Sequence, residues 1–259
     1  MSDKKLQNEK QDDIRNKKVL AVYIILRVFV TLVMVAQFIH GNYANVFLCI
    51  LTLVLFFIPS FAEKKLNISL PGPLEIIILL FIVASEILGE VGEYYINVPH
   101  WDTMLHTMNG FLMGAIGFSM IDILNQNDKF HFKTTPLFVA VVAFCFSMTT
   151  GVLWEFFEFG MDVFFATDMQ KDTILPVISS VKINPDGVNR AVKAVVDSTV
   201  INGGEYSFDG YLDIGLFDTM KDLIVNFIGA VVFSIVGGIY ITGRGSWAKK
   251  FIPTIKDKE

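Results

Sequence analysis

Six stretches of this 259-residue chain are apolar over the roughly 20 residues that carry an α-helix across a hydrocarbon core. They run Val19–Ile39, Tyr43–Ala62, Pro73–Glu93, Trp101–Leu124, Pro136–Phe159 and Asp218–Thr242. The first two are apolar throughout. The other four are apolar at one end and acidic at the other, where they carry Glu86, Glu90 and Glu93; Asp102 and His106; Glu155, Glu158 and Asp162; and Asp218 and Asp222. Within each set the spacing of three, four or seven residues lines the side chains along one helical face. The pattern predicts an all-α, polytopic membrane bundle of six helices.

Polar stretches between the spans are short except for one, residues 161–217. Asn184-Pro185-Asp186-Gly187, Asn202-Gly203-Gly204 and Asp209-Gly210 punctuate it as turns. Between them, Thr173–Ile183 and Arg190–Ile201 are rich enough in Val and Ile to form short strands or an amphipathic helix. This segment is expected to cap one end of the bundle. The organisation predicted is a tail over 1–18, one membrane domain over 19–242 that includes the loop, and a tail over 243–259.

Composition agrees with the spans: 53% of residues are hydrophobic, 18% are charged and the mean hydropathy is +0.54, well above the apolar share of an ordinary soluble domain. The net charge of −5 gives no reason to expect a nucleic-acid partner. Basic residues fix the orientation. Fifteen lie in the two tails and in the loops holding Lys64, Lys65, Lys129 and Lys133, against five on the other side, nearly all in the long loop. The positive-inside rule then puts both termini in the cytoplasm and the 161–217 loop outside, as for a multi-pass membrane protein. A cleaved signal peptide fits residues 1–40 poorly, because the apolar run exceeds the usual 7–15 residues and no small-x-small site follows. Arg27, inside the first span, is read as snorkelling to the interface or pairing with Glu75. Cys49 and Cys145 are read as packing thiols.

Counting along each helix from that orientation gathers the acidic sets at one depth. Glu86 and Glu155 fall roughly 10 Å below the outer surface at 1.5 Å per residue, His106 is one turn below Asp102, and Asn226 is one turn below Asp222. Helix capping and interfacial placement account for Asp102, Asp218, Glu93 and Asp162. They do not account for Glu86, His106, Glu155, Glu158 and Asp222, which sit inside apolar sequence, where ionisable groups are costly and mark function. Clustered like charges need a cation or shared protons. Asp102, His106, Glu155, Glu158, Asp218 and Asp222 are therefore the expected ligands of a divalent metal, with Glu86, Glu90 and Asn226 as neighbours. Many carboxylates with one imidazole suit Zn, Mn or Fe, or Mg if His106 stands outside the first ring of ligands. Gly110, Gly114, Gly117, Gly229, Gly237 and Gly238 allow close helix approach. His40 and His100 read as solvated at the outer surface.

Three segments carry a resemblance: Trp101-Asp-Thr-Met-Leu-His106-Thr-Met-Asn-Gly-Phe, Trp154-Glu-Phe-Phe-Glu158, and Asp218-Thr-Met-Lys-Asp222 with the following Asn226-Phe-Ile-Gly-Ala. They resemble, in order and spacing, the Asp-x-x-x-His, Trp-Glu-x-x-Glu and Asp-Thr-x-x-Asp signatures of the YjdF-like bacterial inner-membrane family. The resemblance covers spans three to six and implies a polytopic membrane protein of unestablished biochemical function. Some members of that family have a His near the end of span three; this chain has Glu90 and Glu93 there. Three function classes stay open. One is a membrane-embedded metal-dependent hydrolase or transferase acting on a small-molecule or lipid-linked substrate, with Glu155 or Glu158 as general base. The second is a cation or proton-coupled transporter. The third is a structural or regulatory membrane protein in the lipid bilayer. No organic cofactor is expected, and the sequence leaves oligomeric state open.

Overall fold

The computed structural model describes residues 3–66, 68–125, 135–241, 252 and 254–255. The loop with Lys129, His131 and Lys133 and most of the 243–259 tail lie outside the described residues. Helix α1 (Asp3–Ile39) starts inside the predicted tail and continues through the first span without a break. The second span forms as α2 (Tyr43–Leu55) and α3 (Ile58–Leu66). Pro59 explains the interruption, since it lacks the N–H that would continue the hydrogen-bond ladder of α2.

The third predicted span differs in kind. Helix α4 (Gly72–Ile82) runs directly into a nine-residue π-helix, Val83–Val91. Glu93, left-handed at φ 57°, ends it, and the short α5 (Tyr94–Asn97) follows. Helices α6 (Trp101–Asn125), α7 (Pro136–Phe165) and α8 (Leu216–Ile241) complete the helical set. Among the described residues five helices are long and apolar enough to cross a membrane: Lys17–Ile39, Tyr43–Lys65, Trp101–Ile121, Pro136–Phe165 and Leu216–Ile241. The molecule is a multi-pass membrane protein by composition and helix length.

The chain divides into two compact units, one of Met1–Gly151 with Val225–Glu259 and one of Val152–Ile224. In the first, Val30 of α1, Cys49 and Phe56 in and just after α2, and Leu79 and Ile82 of α4 pack together with Ile87 of the π-helix. A second cluster joins Ala115 and Phe118 of α6, Val139 and Ala143 of α7 and Phe233 of α8. Strand β1 (Ile68–Ser69) leads into α4, and Leu70, Leu74 and Leu112 form a third cluster beside it.

The second unit holds the predicted loop, and strands prevail over the helical alternative. Antiparallel pairs form between β2 (Thr173–Leu175) and β7 (Tyr211–Asp213), β3 (Val177–Ser180) and β4 (Val192–Val195), and β5 (Thr199–Ile201) and β6 (Tyr206–Phe208). The turn residues act as their chemistry predicts. The Asn184 carboxamide accepts from the Asp186 amide at 2.9 Å and donates to the Arg190 carbonyl at 2.7 Å. Asn202, Gly203 and Gly204, all at positive φ, close the β5–β6 hairpin. A last strand, β8 (Thr254–Ile255), pairs with β1 in the first unit.

Candidate functional site

In the first unit α6, α7 and α8 meet at backbone distance because glycines stand where they cross. A Cβ on Gly110 would run into the Asn226 carbonyl, one on Gly229 into the Thr107 carbonyl, and one on Gly151 would lie 2.6 Å from Asn226 Nδ2. Such closeness lets short polar side chains bond across the helices. Asn109 Nδ2 donates to Asn226 Oδ1 at 3.2 Å, and Ser147 Oγ donates to the Gly110 carbonyl at 2.7 Å. Asn226 Nδ2 reaches the Ser147 carbonyl at 3.4 Å and the Met148 sulfur at 3.7 Å. Asn226 and Ser147 are fully buried. Asn226, expected only as a neighbour of the site, is the centre of this polar layer.

One turn along α6 from that layer lies His106 and one turn further Asp102, with His106 Nε2 3.3 Å from Asp102 Oδ1 and His106 buried. A carboxylate on one ring nitrogen orients an imidazole and raises the basicity of the other nitrogen. Trp101 pins the start of this helix. Its indole N–H donates to the Ala84 carbonyl at 3.2 Å, inside the π-helix, and its ring meets Tyr94 edge to face at 4.9 Å. π-Helical turns leave carbonyls out of the regular ladder and are frequent at functional sites.

Span three contributes less than its acids suggested. Half-buried Glu86 accepts from Ser85 Oγ at 3.4 Å, and the same hydroxyl lies 3.2 Å from the Tyr95 hydroxyl. The Tyr95 ring rests on Gly89, where a Cβ would collide with it. Burial pushes the Tyr95 phenol well above its ordinary pKa. Glu90 and Glu93 are exposed, as are His40 and His100.

In the second unit Glu155, Glu158, Asp218 and Asp222 are all buried, Asp222 almost completely. Glu158 Oε1 accepts the Trp154 indole N–H at 2.8 Å. The Lys221 ammonium lies 3.0 Å from Asp218 Oδ1 and 3.6 Å from Asp222 Oδ1. Asp218 Oδ2 also accepts the Lys171 amide at 2.8 Å, which ties the start of α8 to the loop. Asp162 has a matching task at the end of α7, accepting from the Thr167 hydroxyl and from the Met169 and Gln170 amides at 2.7 to 2.8 Å. These two acids anchor the loop as caps do. Asp172, outside the spans, has its pKa raised by burial first and then by Asp168, Asp162 and Asp213.

Asp102 and His106 of the first unit and the buried Asp222 of the second are each of a type that ligates metal ions. Neither Ser85 nor Tyr95 stands out in the sequence as a site residue, because a hydroxyl near an apolar stretch carries no periodic signal.

A family model described as "Predicted membrane protein (DUF2238)" matches residues 21–243. An uncharacterized protein of Thermotoga maritima is 24% identical over 191 residues, covering 74% of this chain and 75% of that protein. No solved structure matches the chain.

Proposed function

The chain belongs to the DUF2238 family of membrane proteins, and from that premise we propose a membrane-embedded metal site that serves a hydrolase or group transferase. Both termini lie in the cytoplasm, the π-helical third segment counts as a sixth span, and the site faces the outer leaflet. The YjdF-like character of the Asp102/His106, Trp154/Glu158 and Asp218/Asp222 segments belongs to the same reading.

One observation carries it. A polar layer of half-buried Asn109 with buried Ser147 and Asn226 is already assembled where three helices cross, and each helix carries a buried ionisable group one turn beyond it. On α6 that group is His106, three residues before Asn109; on α7 it is Glu155, four after Gly151; on α8 it is Asp222, four before Asn226. Helical periodicity keeps each on the face that its partner in the layer presents. His106 and Asp102 would serve as ligands, with Asp102 also orienting the imidazole, and Asp222 is proposed as a third from its place on α8 one turn before Asn226. Two carboxylates and a neutral imidazole suit Zn, Mn or Fe, and such an ion lowers the pKa of a bound water and polarises a carbonyl or phosphoryl oxygen. Glu155 is the general base. Glu158 is the weaker candidate because Trp154 already donates to it. Asp218 holds the loop, and Lys221 beside it balances charge.

Aromatic packing favours this reading over a transporter. Beyond the polar layer, on the side away from the acids, Phe233 meets Phe111 at 5.1 Å and Phe118 at 6.1 Å, edge to face. Together with Ala115 and Ala143 these rings fill the space a permeation path would need.

Elemental analysis of the purified full chain, reconstituted with Zn or Mn, tests the site. About one metal per chain is expected in the wild type and in Asp218→Asn, and none in His106→Ala or Asp222→Asn. A wild type that binds no metal, or an Asp218→Asn variant that loses it alongside the other two, overturns the assignment.

A further inference from the structure

We propose that the second unit docks on a second copy of itself: the β3–β4 hairpin of one chain receives the β5–β6 hairpin of the other, and the contact repeats about a twofold axis. The proposal is independent of the metal site. It starts from the isolation of these hairpins. Each is a two-stranded ribbon with no third strand among the described residues, and a lone ribbon of two strands is marginal in water without further packing.

Both ribbons expose apolar side chains in cross-strand pairs. Val177 and Val195 stand opposite each other in the β3–β4 register, and both are exposed, Val195 to 73%. Ala194 and Val192, on the other face of the same strand, are half-buried, so the ribbon already has one packed face and one open face. In the β5–β6 hairpin Ile201 and Tyr206 are opposite each other and exposed, and Val200 is 57% exposed. Single exposed apolar residues are ordinary, whereas paired ones on successive ribbons form a patch of the kind that marks an interaction surface.

Charge identifies the partner. Residues 177–195 carry Lys182, Arg190 and Lys193 against Asp186, a net of +2. Residues 196–210 carry Asp197, Glu205 and Asp209 with no basic residue, a net of −3. Arg190 and Asp186 pair within their own hairpin at 3.3 Å, and Glu205 accepts from the Asn202 carboxamide at 3.2 Å. That leaves Lys182 and Lys193 on one hairpin and Asp197 and Asp209 on the other, all exposed and without an ion-pair partner among the described residues. A basic and an acidic ribbon on one chain become complementary to themselves once a second copy is turned by 180°, so the contact is made twice. For two copies inserted the same way up in one bilayer, that axis lies along the membrane normal and brings the two units to one level. An anionic lipid surface would attract the first hairpin and repel the second.

Sedimentation velocity of the detergent-solubilised full chain tests this with two charge-reversed variants, Lys182→Glu/Lys193→Glu and Asp197→Lys/Asp209→Lys. The wild type is expected to form a dimer that weakens as salt is raised, because the charges are exposed. Each variant alone sets like charges against each other and should raise the dimer dissociation constant at least about tenfold. An equimolar mixture of the two variants should recover the dimer, since every contact then joins opposite charges again; pairing within one chain cannot give that rescue. A wild type that is monomeric at every concentration assigns the hairpins another partner and overturns the proposal. So do variants that dimerise as the wild type does, and variants whose mixture stays monomeric.

Discussion

Where α1, α2 and α4 meet, the buried side chains are Val30, Cys49, Phe56, Leu79 and Ile82. Where α6, α7 and α8 meet, Asn226, Ser147 and three glycines hold the corresponding positions. Both packings are in the same unit of the same chain. Lipid tails are as apolar as leucine, so in a membrane the first packing gains little from burial and is held mainly by shape, with one bond across it from the Tyr23 hydroxyl to the Phe56 carbonyl at 2.8 Å. Helices joined in this way tolerate changes of side chain. The second is held by backbone approach and interhelical hydrogen bonds, which have few geometric solutions, so it fixes positions to the accuracy a ligand site needs. Of the candidate metal ligands, His106 and Asp222 lie one turn along their helices from the second packing and Asp102 lies two.

Overpacking the second region should give the largest effect. At Gly229 a methyl group would be driven into the Thr107 carbonyl and to within 2.9 Å of the Phe111 amide, both backbone atoms with nowhere to go. Gly229→Ala is expected to cost about 3 kcal/mol, the upper part of the range for forced insertions. Thermal unfolding of the detergent-solubilised chain would register it as a large drop in midpoint. Gly238→Ala, on the same helix with open space around it, should be neutral or stabilising by up to about 1 kcal/mol through helix propensity. Equal outcomes for the two glycines would remove the distinction between the regions.

This contrast was only partly legible in the sequence. The helices of the second region and the stripes of acids on them could be read, because hydropathy reports length and periodicity reports faces. So could the small residues, Gly110 and Gly229 among them. What could not be read was which glycine touches what: Gly110 and Gly229 meet backbone, while Gly238 meets nothing, and all three look alike in sequence. The acids sorted in a similar way. Asp218 and Asp162 proved to anchor the loop through backbone amides, a role set by how the chain turns after α7. The π-helix at Val83–Val91 was invisible for the same kind of reason, since the hydropathy of a stretch does not separate a π-helix from an α-helix.

Removing the central amide should come next in size. Asn226→Leu keeps the volume but takes away the partner of Asn109 and the contacts to Ser147 and Met148. Interhelical hydrogen bonds in membranes are worth about 0.6 kcal/mol on average and up to about 1.7, so a loss of about 2 kcal/mol is expected for the set. In Asn109→Ala the further cost of Asn226→Leu should shrink, because the two share one bond. Full additivity in that double-mutant cycle would show that the two amides act separately and that no layer exists.

The smallest pair of effects compares two hydroxyls. Ser147 Oγ donates across helices to the Gly110 carbonyl, while Thr52 Oγ1 donates to the Leu48 carbonyl of its own helix at 2.8 Å. Both side chains are fully buried. Ser147→Ala should cost about 1 kcal/mol, because it removes a hydrogen bond that joins two helices. Thr52→Val preserves shape, and the Leu48 carbonyl keeps its place in the helix ladder, so the change should fall within about 0.5 kcal/mol of zero. Thermal midpoints of the two variants in one detergent decide the matter. If Thr52→Val costs as much as Ser147→Ala, the first packing also depends on its polar groups, and the division between a region held by shape and a region held by bonds is wrong.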